Sequence, residues 1–154
     1  MERSFSMIKP DGVQRRLIGR ILQRFEDKGL RLAGLKLIQV SKQQAETLYS
    51  VHQGKPFYDG LVKFITASPV VTMVIEGNQA IAVVRKLLGA TFGFNAEPGS
   101  IRGDYGCSKG FNLVHGSDSV ESATREIPIF FQDSELVKSE HADLAWVLEE
   151  PERK

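Results

Sequence analysis

The sequence predicts an α+β sandwich in which a four-stranded antiparallel sheet packs against helices. Three observations support this fold class. Four short segments are rich in β-branched and other apolar residues, segments with helical hydrophobic periodicity separate them, and the chain contains no internal repeat. The 154 residues suit one domain over 1–154, with a core at about 3–135 and a C-terminal extension at 136–154.

The first strand, the first helix and the second strand follow from composition and spacing. Residues 5–8 are mostly apolar, and the turn residues at 10–12 end this strand. Apolar residues then recur every three or four positions over 13–25, which predicts a single amphipathic helix. Residues 30–40 are again rich in apolar side chains, and we predict a second strand there.

The middle of the chain predicts two short helices, a strand and a longer helix. Ser41 and Gln44 match a capping box at the start of the first short helix, and the second includes the apolar residues of 61–65. Residues 70–76 form the clearest strand, which we predict to be central because apolar residues fall on both of its faces. A helix follows over 81–88.

A glycine-rich segment at 90–111 separates the last strand from the rest. A loop of about 20 residues inside a domain is unusual and is commonly functional, and its aromatic residues predict an ordered loop. Residues 112–115 predict a short strand, and Asp118 with Glu121 offers a capping box for a helix of about two turns. With the two middle helices merged, the order is βαββαβ, the ferredoxin-like layout with helices on one face of the sheet.

Composition and charge exclude several classes of function. The chain carries 20 Lys and Arg against 19 Asp and Glu, so its net charge is +1. It lacks the basic excess typical of proteins that bind duplex nucleic acid or anionic membranes. The one cysteine, Cys107, cannot form an internal disulfide, which suits a reducing compartment. The sequence shows no targeting segment and no bilayer-spanning apolar run, so we expect a cytoplasmic protein without a membrane partner.

Common metal and phosphate motifs are absent from the sequence. The histidines His52, His115 and His141 have no close spacing and Cys107 has no cysteine partner, so a structural zinc site is not expected. The chain also lacks a P-loop, a G-x-G-x-x-G turn after the first strand and a G-x-S-x-G nucleophile turn. The common phosphate-binding loops are therefore absent.

The strongest chemical candidate begins at His115. This residue ends a predicted strand, and Ser117 and Asp118 stand at the start of a helix, where free backbone N–H groups favour anions. A folded-back turn can bring Glu126 against the imidazole, which would fix its tautomer and make the other nitrogen the better nucleophile. The alternative is that His115 merely ends the strand and Glu126 is solvated. The predicted buried stripe of this helix consists of Val120, Ala123, Thr124 and Ile127.

Three basic residues form a second group of candidates. Arg85 lies in the last turn of its predicted helix, where a cation interacts favourably with the helix dipole. Arg102 lies in the glycine-rich segment, and its planar guanidinium can bind two phosphate oxygens at once. Lys9 directly follows the first strand. The alternative for Arg85 is a solvated surface position, and for Lys9 an ordinary turn position.

Together these segments resemble the nucleoside diphosphate kinase family. The sequence Asn-Leu-Val-His-Gly-Ser-Asp-Ser at 112–119 closely follows the signature around that family's phosphorylated histidine, and 7–13 match the family's opening. The resemblance covers about residues 3–135 without an evident gap. Further matches follow in order at 56–58, 68–71, 98–104 and 119–121.

The resemblance implies transfer of the terminal phosphate of a nucleoside triphosphate, typically ATP, to a nucleoside diphosphate. Two half-reactions would pass through a phosphohistidine at His115, with Mg²⁺ held mainly by the nucleotide phosphates. Glu126 would hold the far nitrogen of the imidazole, and Ser117 would support it by hydrogen bonding. Lys9 would add positive charge at the reacting phosphate. The family's phosphate and sugar contacts fall at Lys9, Tyr49, Arg85, Thr91, Arg102 and Asn112.

The resemblance also predicts how the base is held and how the chain assembles. Phe57 falls where an aromatic ring stacks on the base, which predicts low base selectivity, and His52 falls near the phosphate-binding helix. The family forms hexamers or tetramers, and the C-terminal extension with Trp146 resembles the hexameric branch. Departures from the commoner pattern occur at 92–94 and at Phe111, and they bear on assembly more than on chemistry.

Two other classes of function remain as alternatives. The first is a ferredoxin-like nucleotide-binding or regulatory module without activity, which the presence of His115, Lys9 and Arg102 disfavours. The second is a nucleic-acid-binding protein of similar architecture, but such proteins carry exposed aromatic residues on a central strand. The strand at 70–76 has none, so nucleic acid is not expected as a main partner.

Overall fold

The structure, a computed structural model, describes residues 1–139 and 141–153. Over these residues it contains a four-stranded antiparallel sheet in the order β2-β3-β1-β4, which together with the intervening helices confirms the predicted ferredoxin-like α+β class. The strands are β1 at Glu2–Ile8, β2 at Arg31–Ile38, β3 at Val70–Gly77 and β4 at Val114–Gly116.

The pairing of β1 determines where the chemistry lies. This strand pairs with both β3 and β4, and Met7 lies opposite Thr72 on one side and His115 on the other. The carboxyl end of β1 therefore delivers Lys9 to the edge of the sheet where β4 begins. The peptide N–H of Lys9 donates to the carbonyl of Leu113 at 2.8 Å, which fixes this arrangement.

Two helices connect strands and pack on one face of the sheet, three pack on the opposite face, and α1, α6 and α8 are short additional helices. The crossover helices are α2 and α5, and the opposite group is α3, α4 and α7. The bounds are α1 Pro10–Gln14, α2 Ile18–Asp27, α3 Lys42–Leu48, α4 Tyr58–Ile65, α5 Ala80–Leu88, α6 Ile101–Tyr105, α7 Val120–Phe130 and α8 Leu144–Val147.

Helices cover both faces of the sheet, which corrects the expectation of one covered face. Buried residues of α2 and α5 form one apolar cluster with Ile8, Met73 and Ile75. Buried residues of α3, α4 and α7 form a second cluster with Phe5 and Val74. Strand β3 is interior in the sheet and buried on both faces, as its apolar sequence predicted. A strand that is apolar on both sides requires a second helical layer.

The predicted single helix over 13–25 is wrong, because the chain breaks between α1 and α2. Arg16 adopts a left-handed backbone with φ of 58° there. The hydrophobic spacing continues through the break because Val13, Leu17 and Ile21 all contact the same apolar cluster. Periodicity reports which face is buried, and here two short helices share that face.

Two predicted boundaries near the candidate histidine also differ. Strand β4 begins at Val114 instead of 112, because Leu113 has a left-handed backbone with φ of 71° that interrupts strand pairing. Helix α7 is capped by the hydroxyl of Ser119, which accepts from the N–H of Ser122 at 3.1 Å, and the predicted Asp118–Glu121 box does not form.

Helix α7 is longer than predicted and buries a different stripe. It has eleven residues and continues through Pro128. Its buried residues are Ala123, Glu126 and Phe130, whereas Val120 and Thr124 are exposed. The ring of Phe130 stacks on Phe5 of β1 at 4.9 Å, and this contact sets the rotation of the helix. Glu126, one turn earlier, consequently faces the sheet.

The segment at 90–111 is ordered, as predicted, and it contains a short 3₁₀ turn at Gly93–Asn95 and α6. Phe92 stacks on Phe94 with 5.8 Å between the ring centroids, and Phe111 stacks on Phe64 of α4 with 4.8 Å between them. Cys107 is exposed. Among the described residues, no helix is long and apolar enough to cross a membrane.

Candidate active site

The centre of the site is an imidazole held by a buried carboxylate. Nε2 of His115 lies 3.0 Å from Oε2 of Glu126, and the same carboxylate oxygen accepts from the hydroxyl of Ser117 at 2.7 Å. The His115 side chain is 20% exposed and that of Glu126 5%. The structure therefore brings together the three residues predicted around the histidine, and Glu126 is not solvated.

This geometry distinguishes the two nitrogens of the imidazole. A carboxylate on Nε2 favours the tautomer with the proton on that nitrogen, so Nδ1 keeps its lone pair. The ring is fixed further by Phe5 and by Tyr49, whose centroids lie 5.8 Å and 6.5 Å from that of the imidazole. A held imidazole with a free Nδ1 is the arrangement of an activated nitrogen nucleophile.

The ionisation of Glu126 reflects competing effects. Burial raises the pKa of its carboxyl, but hydrogen bonds from His115 and Ser117 and the charges of His115 and Arg125 outweigh burial, and the net shift is downward. Glu126 is therefore ionised at neutral pH despite its buried position. Arg125 donates to the second oxygen, Oε1, at 3.3 Å.

A buried basic cluster lies beside the histidine, at the end of β1. Nζ of Lys9 donates to Oδ1 of Asn112 at 2.8 Å, and Nδ2 of Asn112 donates to the carbonyl of Thr91 at 2.9 Å. Arg102 is 3% exposed and lies in α6, so it is neither in an irregular loop nor on the surface. Its guanidinium donates to the carbonyls of Gly89, Asn112 and Val114.

Arg102 serves the fold as well as the site. Three of its five N–H groups are used on main-chain carbonyls, which tie α5, the loop and β4 together. Burial, and secondly the positive charge of Arg85, lower the pKa of Arg102 to about 10. Arg102 therefore stays charged at neutral pH.

Lys9 has an unusual electrostatic environment. Burial, and secondly the positive charge of Arg102, lower the pKa of its ammonium to about 8, while Asp11 acts in the opposite direction. Buried cations that repel one another are stabilised by an anion that enters between them. The electrostatics of this cluster therefore favour a negatively charged ligand such as a phosphate group.

The remaining predicted residues differ in exposure. Arg85 is exposed, and its NH1 approaches the carbonyl of Gly116 at 3.5 Å. Thr91 is exposed and contributes its carbonyl to Asn112. Phe57 is 51% exposed at the start of α4. His52 lies between Phe57 and Tyr49, and its ring centroid is 5.4 Å from that of Phe57 and 6.3 Å from that of Tyr49. A row of rings thus leads from His115 outwards to Phe57.

Two of these rings have shifted pKa values. Partial burial and the charges of Lys55, His115 and Arg125 lower the pKa of His52, so this ring is neutral at neutral pH. Burial and the negative charge of Glu126 raise the pKa of Tyr49. The Tyr49 hydroxyl is buried and finds no hydrogen-bond partner among the described residues, so a donor is left for a ligand oxygen or water.

Sequence reasoning missed two supporting residues. Asp11 was assigned only to a turn, but its Oδ2 accepts from the N–H of Leu113 at 3.0 Å and so holds the left-handed residue before β4. Its position in Lys-Pro-Asp-Gly was the available signal. Arg125 was not considered, because no sequence pattern shows that it contacts both Glu126 and the end of α3.

The site combines a held imidazole with buried cations and aromatic rings. Positive charge around a transferring group and a nitrogen nucleophile are what phosphoryl transfer requires. Fold and site together define a histidine-centred phosphotransferase.

Comparison with known proteins gives the family. The model of the family described as "Nucleoside diphosphate kinase" matches residues 2–136. Relatives of that name include one from Thermosynechococcus vestitus, 58% identical over 97% of this chain and 99% of its own length. Another, from Carboxydothermus hydrogenoformans, is 54% identical over 97% of this chain and 100% of its own length.

Solved structures agree with the sequence comparison. A nucleoside diphosphate kinase from Halobacterium salinarum, solved in complex with CDP, has a TM-score of 0.94 and 51% identity, covering 96% of this chain and 99% of its own. The chain belongs to the nucleoside diphosphate kinase family, which confirms the resemblance. It is an enzyme that transfers the terminal phosphate of nucleoside triphosphates to nucleoside diphosphates, and none of these findings favours the inactive module.

Proposed function

We propose that the transfer proceeds in two half-reactions through a phosphohistidine on Nδ1 of His115. The observation that carries this proposal is the 3.0 Å contact between Nε2 and the buried carboxylate of Glu126, which leaves Nδ1 as the free nitrogen. Nδ1 attacks the terminal phosphorus of the donor, and the bond from that phosphorus to the bridging oxygen breaks. The nucleoside diphosphate leaves, and a second diphosphate attacks the phosphohistidine in reverse.

Glu126 supports the charge that develops on the imidazole. As Nδ1 becomes bonded to phosphorus, the ring becomes cationic, and the carboxylate stabilises the proton retained on Nε2. Ser117 donates to the same carboxylate oxygen and restricts its orientation. The proton is not transferred, so both half-reactions use the same protonation state of the ring.

The basic residues orient the phosphates. Lys9 and Arg102 are held by Asn112 and by main-chain carbonyls, which places their charge beside His115 before the substrate arrives. Arg85 would supply a further positive charge from an exposed position. Thr91 and Asn112 would contact phosphate or sugar oxygens.

Mg²⁺ fits this donor set only as a phosphate-bound ion. The described residues contain no group of three or more His, Cys, Asp or Glu that could hold a metal ion. The pKa of the Asp118 carboxyl is lowered mainly by a hydrogen bond from the hydroxyl of Ser122, and the charges of Arg85 and His115 also act on it. This carboxylate would hold a water of the ion, whose direct ligands would be phosphate oxygens. The ion would neutralise phosphate charge.

The nucleoside would lie along the row of rings. Phe57 presents half of its surface to solvent, and base stacking on such a ring is tolerant of sequence, so we expect low base selectivity. Tyr49 and His52 line the path between the ring and the phosphates. The structure of the Halobacterium salinarum relative in complex with CDP supports nucleotide binding at this type of site.

We also propose that the chain acts in the cytoplasm as a homo-oligomer, with a hexamer favoured over a tetramer and without nucleic acid as a main partner. Exposed aromatic residues of the ordered loop and of the extension support assembly. These are Phe92, Phe94, Phe111 and Trp146. Large exposed aromatic side chains commonly mark interaction surfaces.

The two-step proposal is tested by labelling. The protein is mixed with Mg²⁺ and γ-labelled ATP, denatured, and the label is located. We expect acid-labile, alkali-stable label on the peptide containing His115, and its discharge by GDP as labelled GTP. His115→Ala should fold normally, because the side chain is partly exposed, and it should carry no label, because the nucleophile is removed. Label on the variant, or a folded protein that accepts none, would overturn the proposal.

A further inference from the structure

Arg125 connects the reactive pair to a different helix. Its NH2 donates to Oε1 of Glu126 at 3.3 Å, and its NH1 reaches the carbonyls of Thr47 and Leu48 at 3.4 Å and 3.2 Å. These carbonyls end α3, so one guanidinium joins the buried carboxylate of α7 to the C-terminus of α3. The planar fork of arginine makes this double contact possible.

Both the contact of Arg125 with α3 and its contact with Glu126 affect residues around His115. The final carbonyls of a helix lack intrahelical partners and attract cations, so Arg125 stabilises the end of α3. The next residue is Tyr49, whose buried ring lies edge-on to the imidazole of His115, with 6.5 Å between the ring centroids. The contact with Glu126 is made to Oε1, the carboxylate oxygen that does not contact His115 or Ser117.

We propose that Arg125 is a positioning residue for phosphoryl transfer. It holds Glu126 so that Oε2 faces His115, and it fixes the end of α3 so that Tyr49 stays against the imidazole. It acts through these neighbours and not by contact with the nucleotide. The inference rests on the proposed role of His115 as the nucleophile.

The charge of Arg125 also acts on Glu126. The groups that face this carboxylate are His115 of β4, Ser117, Arg125 of α7 and Tyr49 beyond α3. Arg125 contributes to the lowered pKa of Glu126, so its removal should raise that pKa and protonate Glu126 at a higher pH. A protonated Glu126 cannot stabilise a cationic imidazole, so activity should be lost earlier on acidification.

Two substitutions separate the charge from the double contact. Arg125→Gln removes the charge, whereas Arg125→Lys retains it but cannot bridge both the carbonyls and the carboxylate. Arg20→Gln, at an exposed position of α2, is the control for loss of one positive charge. A purely structural cap would lower the melting temperature in both Arg125 variants without changing how Glu126 titrates.

The primary measurement is the titration of the Glu126 carboxyl by ¹³C NMR in the nucleotide-free protein. The second is the single-turnover rate of phosphoenzyme formation against pH. In Arg125→Gln we expect the carboxyl midpoint and the acid limb of the rate to move upward together by about half to one pH unit, since the pair is partly exposed. Arg125→Lys keeps the charge and should restore both midpoints, but its rate at neutral pH should stay below that of the unmodified protein, because lysine cannot bridge α7 and α3. Arg20→Gln should match the unmodified protein in every measurement.

The outcomes are distinct. An unchanged Glu126 titration in Arg125→Gln would overturn the positioning role. So would an Arg125→Lys protein whose rate at neutral pH equals that of the unmodified protein, because the double contact would then not matter. A lower melting temperature with an unchanged acid limb would do the same, because it would show a structural cap alone. If the unmodified protein forms no phosphohistidine, the two-step proposal fails, and the carboxyl titration still decides whether Arg125 controls Glu126.

Discussion

At the scale of single residues, two charged environments meet at β4. The ionised carboxylate of Glu126 holds Nε2 of His115 at 3.0 Å. The buried cations Lys9 and Arg102 are held at the start of the same strand by Asn112 and the carbonyl of Val114. The first environment activates the nucleophile, and the second attracts the phosphate that it attacks. The first environment alone would give a nucleophile without a bound phosphate, and the second a phosphate site without a nucleophile, so transfer needs both.

Glu126 should affect the rate without being essential. We expect Glu126→Ala to lower the rate of phosphoenzyme formation by about 10–100-fold, the usual effect of removing the partner that orients a functional imidazole. Rapid-quench measurement of the first half-reaction tests this. Glu121→Ala, at an exposed position of the same helix, is the control and should react normally. An unchanged rate in Glu126→Ala would show that the carboxylate does not support the imidazole.

Lys9 should impose a basic limit on activity. Its pKa is lowered from an ordinary value of 10.5 to about 8, so the ammonium is present below about pH 8 and is lost above it. We expect kcat/KM for a nucleoside triphosphate, which reports groups of the free enzyme, to fall as pH rises through about 8. Lys9→Gln should have a low kcat/KM that no longer falls in this pH range. If the fall persists in the variant, a group other than Lys9 causes it.

The same shift has a consequence for stability. Because folding lowers the pKa of Lys9, the native state holds fewer protons than the unfolded state between about pH 8 and 10.5, and the contribution of Lys9 to the free energy of unfolding increases with pH across this window. Below about pH 8 the buried charge costs stability. Phosphate binding would relieve that cost.

Single residues were predicted well where they lie in a local motif. His115 and Glu126 lie within one strand–helix unit, so local spacing allowed their contact to be proposed beside the solvated alternative, whereas the contact of Ser117 was implied by the family resemblance. Lys9 and Asn112 are 103 positions apart, and their hydrogen bond depends on the pairing of β1 with β4. Arg125 was missed for the same reason, since its partners at the end of α3 are 77 and 78 positions away.

At the scale of elements, α6 and the loop around it hold Arg102 by close backbone packing. A Cβ at Gly103 would lie 2.5 Å from the carbonyl carbon of Glu97 and 2.8 Å from the hydroxyl oxygen of Ser100. The carbonyl belongs to the backbone and cannot move aside as a flexible side chain can. This position therefore requires glycine for lack of space.

Gly103→Ala should destabilise the protein and weaken nucleotide binding. We expect the free energy of unfolding to fall by about 1–3 kcal/mol, the usual cost of overpacking, and KM to rise because Arg102 is displaced. Denaturant unfolding and steady-state kinetics measure the two effects. Gly19→Ala in α2 is the control, since a Cβ there meets nothing within 4 Å, and it should not destabilise. Equal stability of the two variants would contradict this account.

Hydrophobic spacing predicted the existence of the elements better than their ends. The apolar residues of α1 and α2 keep one period because both helices contact the same cluster, so the break at Arg16 left no trace in the pattern. The cap of α7 could not be chosen from sequence, since Asp118 and Ser119 are both good caps. The register that buries Phe130 against Phe5 selected Ser119.

At the scale of the whole molecule, the extension leaves large apolar side chains in solvent. Trp146 of α8 is 91% exposed, although α8 contacts the body of the domain through Val147 beside Gly29. A docked extension with an exposed tryptophan supports the proposed assembly, in which a second copy would cover this residue.

Trp146 allows a direct test of the assembly, because it is the one tryptophan of the chain. We expect its emission to be blue-shifted and protected from acrylamide when sedimentation shows an oligomer. Both properties should change to those of an exposed indole when dilution or mild denaturant dissociates the oligomer. A sedimenting hexamer whose tryptophan is fully quenched by acrylamide would exclude the extension from the interface.

The central claim is that Glu126 holds Nε2 and so directs the phosphate to Nδ1 of His115. The most direct test is to phosphorylate the protein with ATP and Mg²⁺ and to determine by ³¹P and ¹⁵N NMR which nitrogen of which histidine carries phosphorus. We predict a single phosphohistidine, with phosphorus on Nδ1 of His115. Phosphorus on Nε2, or on His52 or His141, would contradict the account, because Glu126 would then not define the reacting nitrogen.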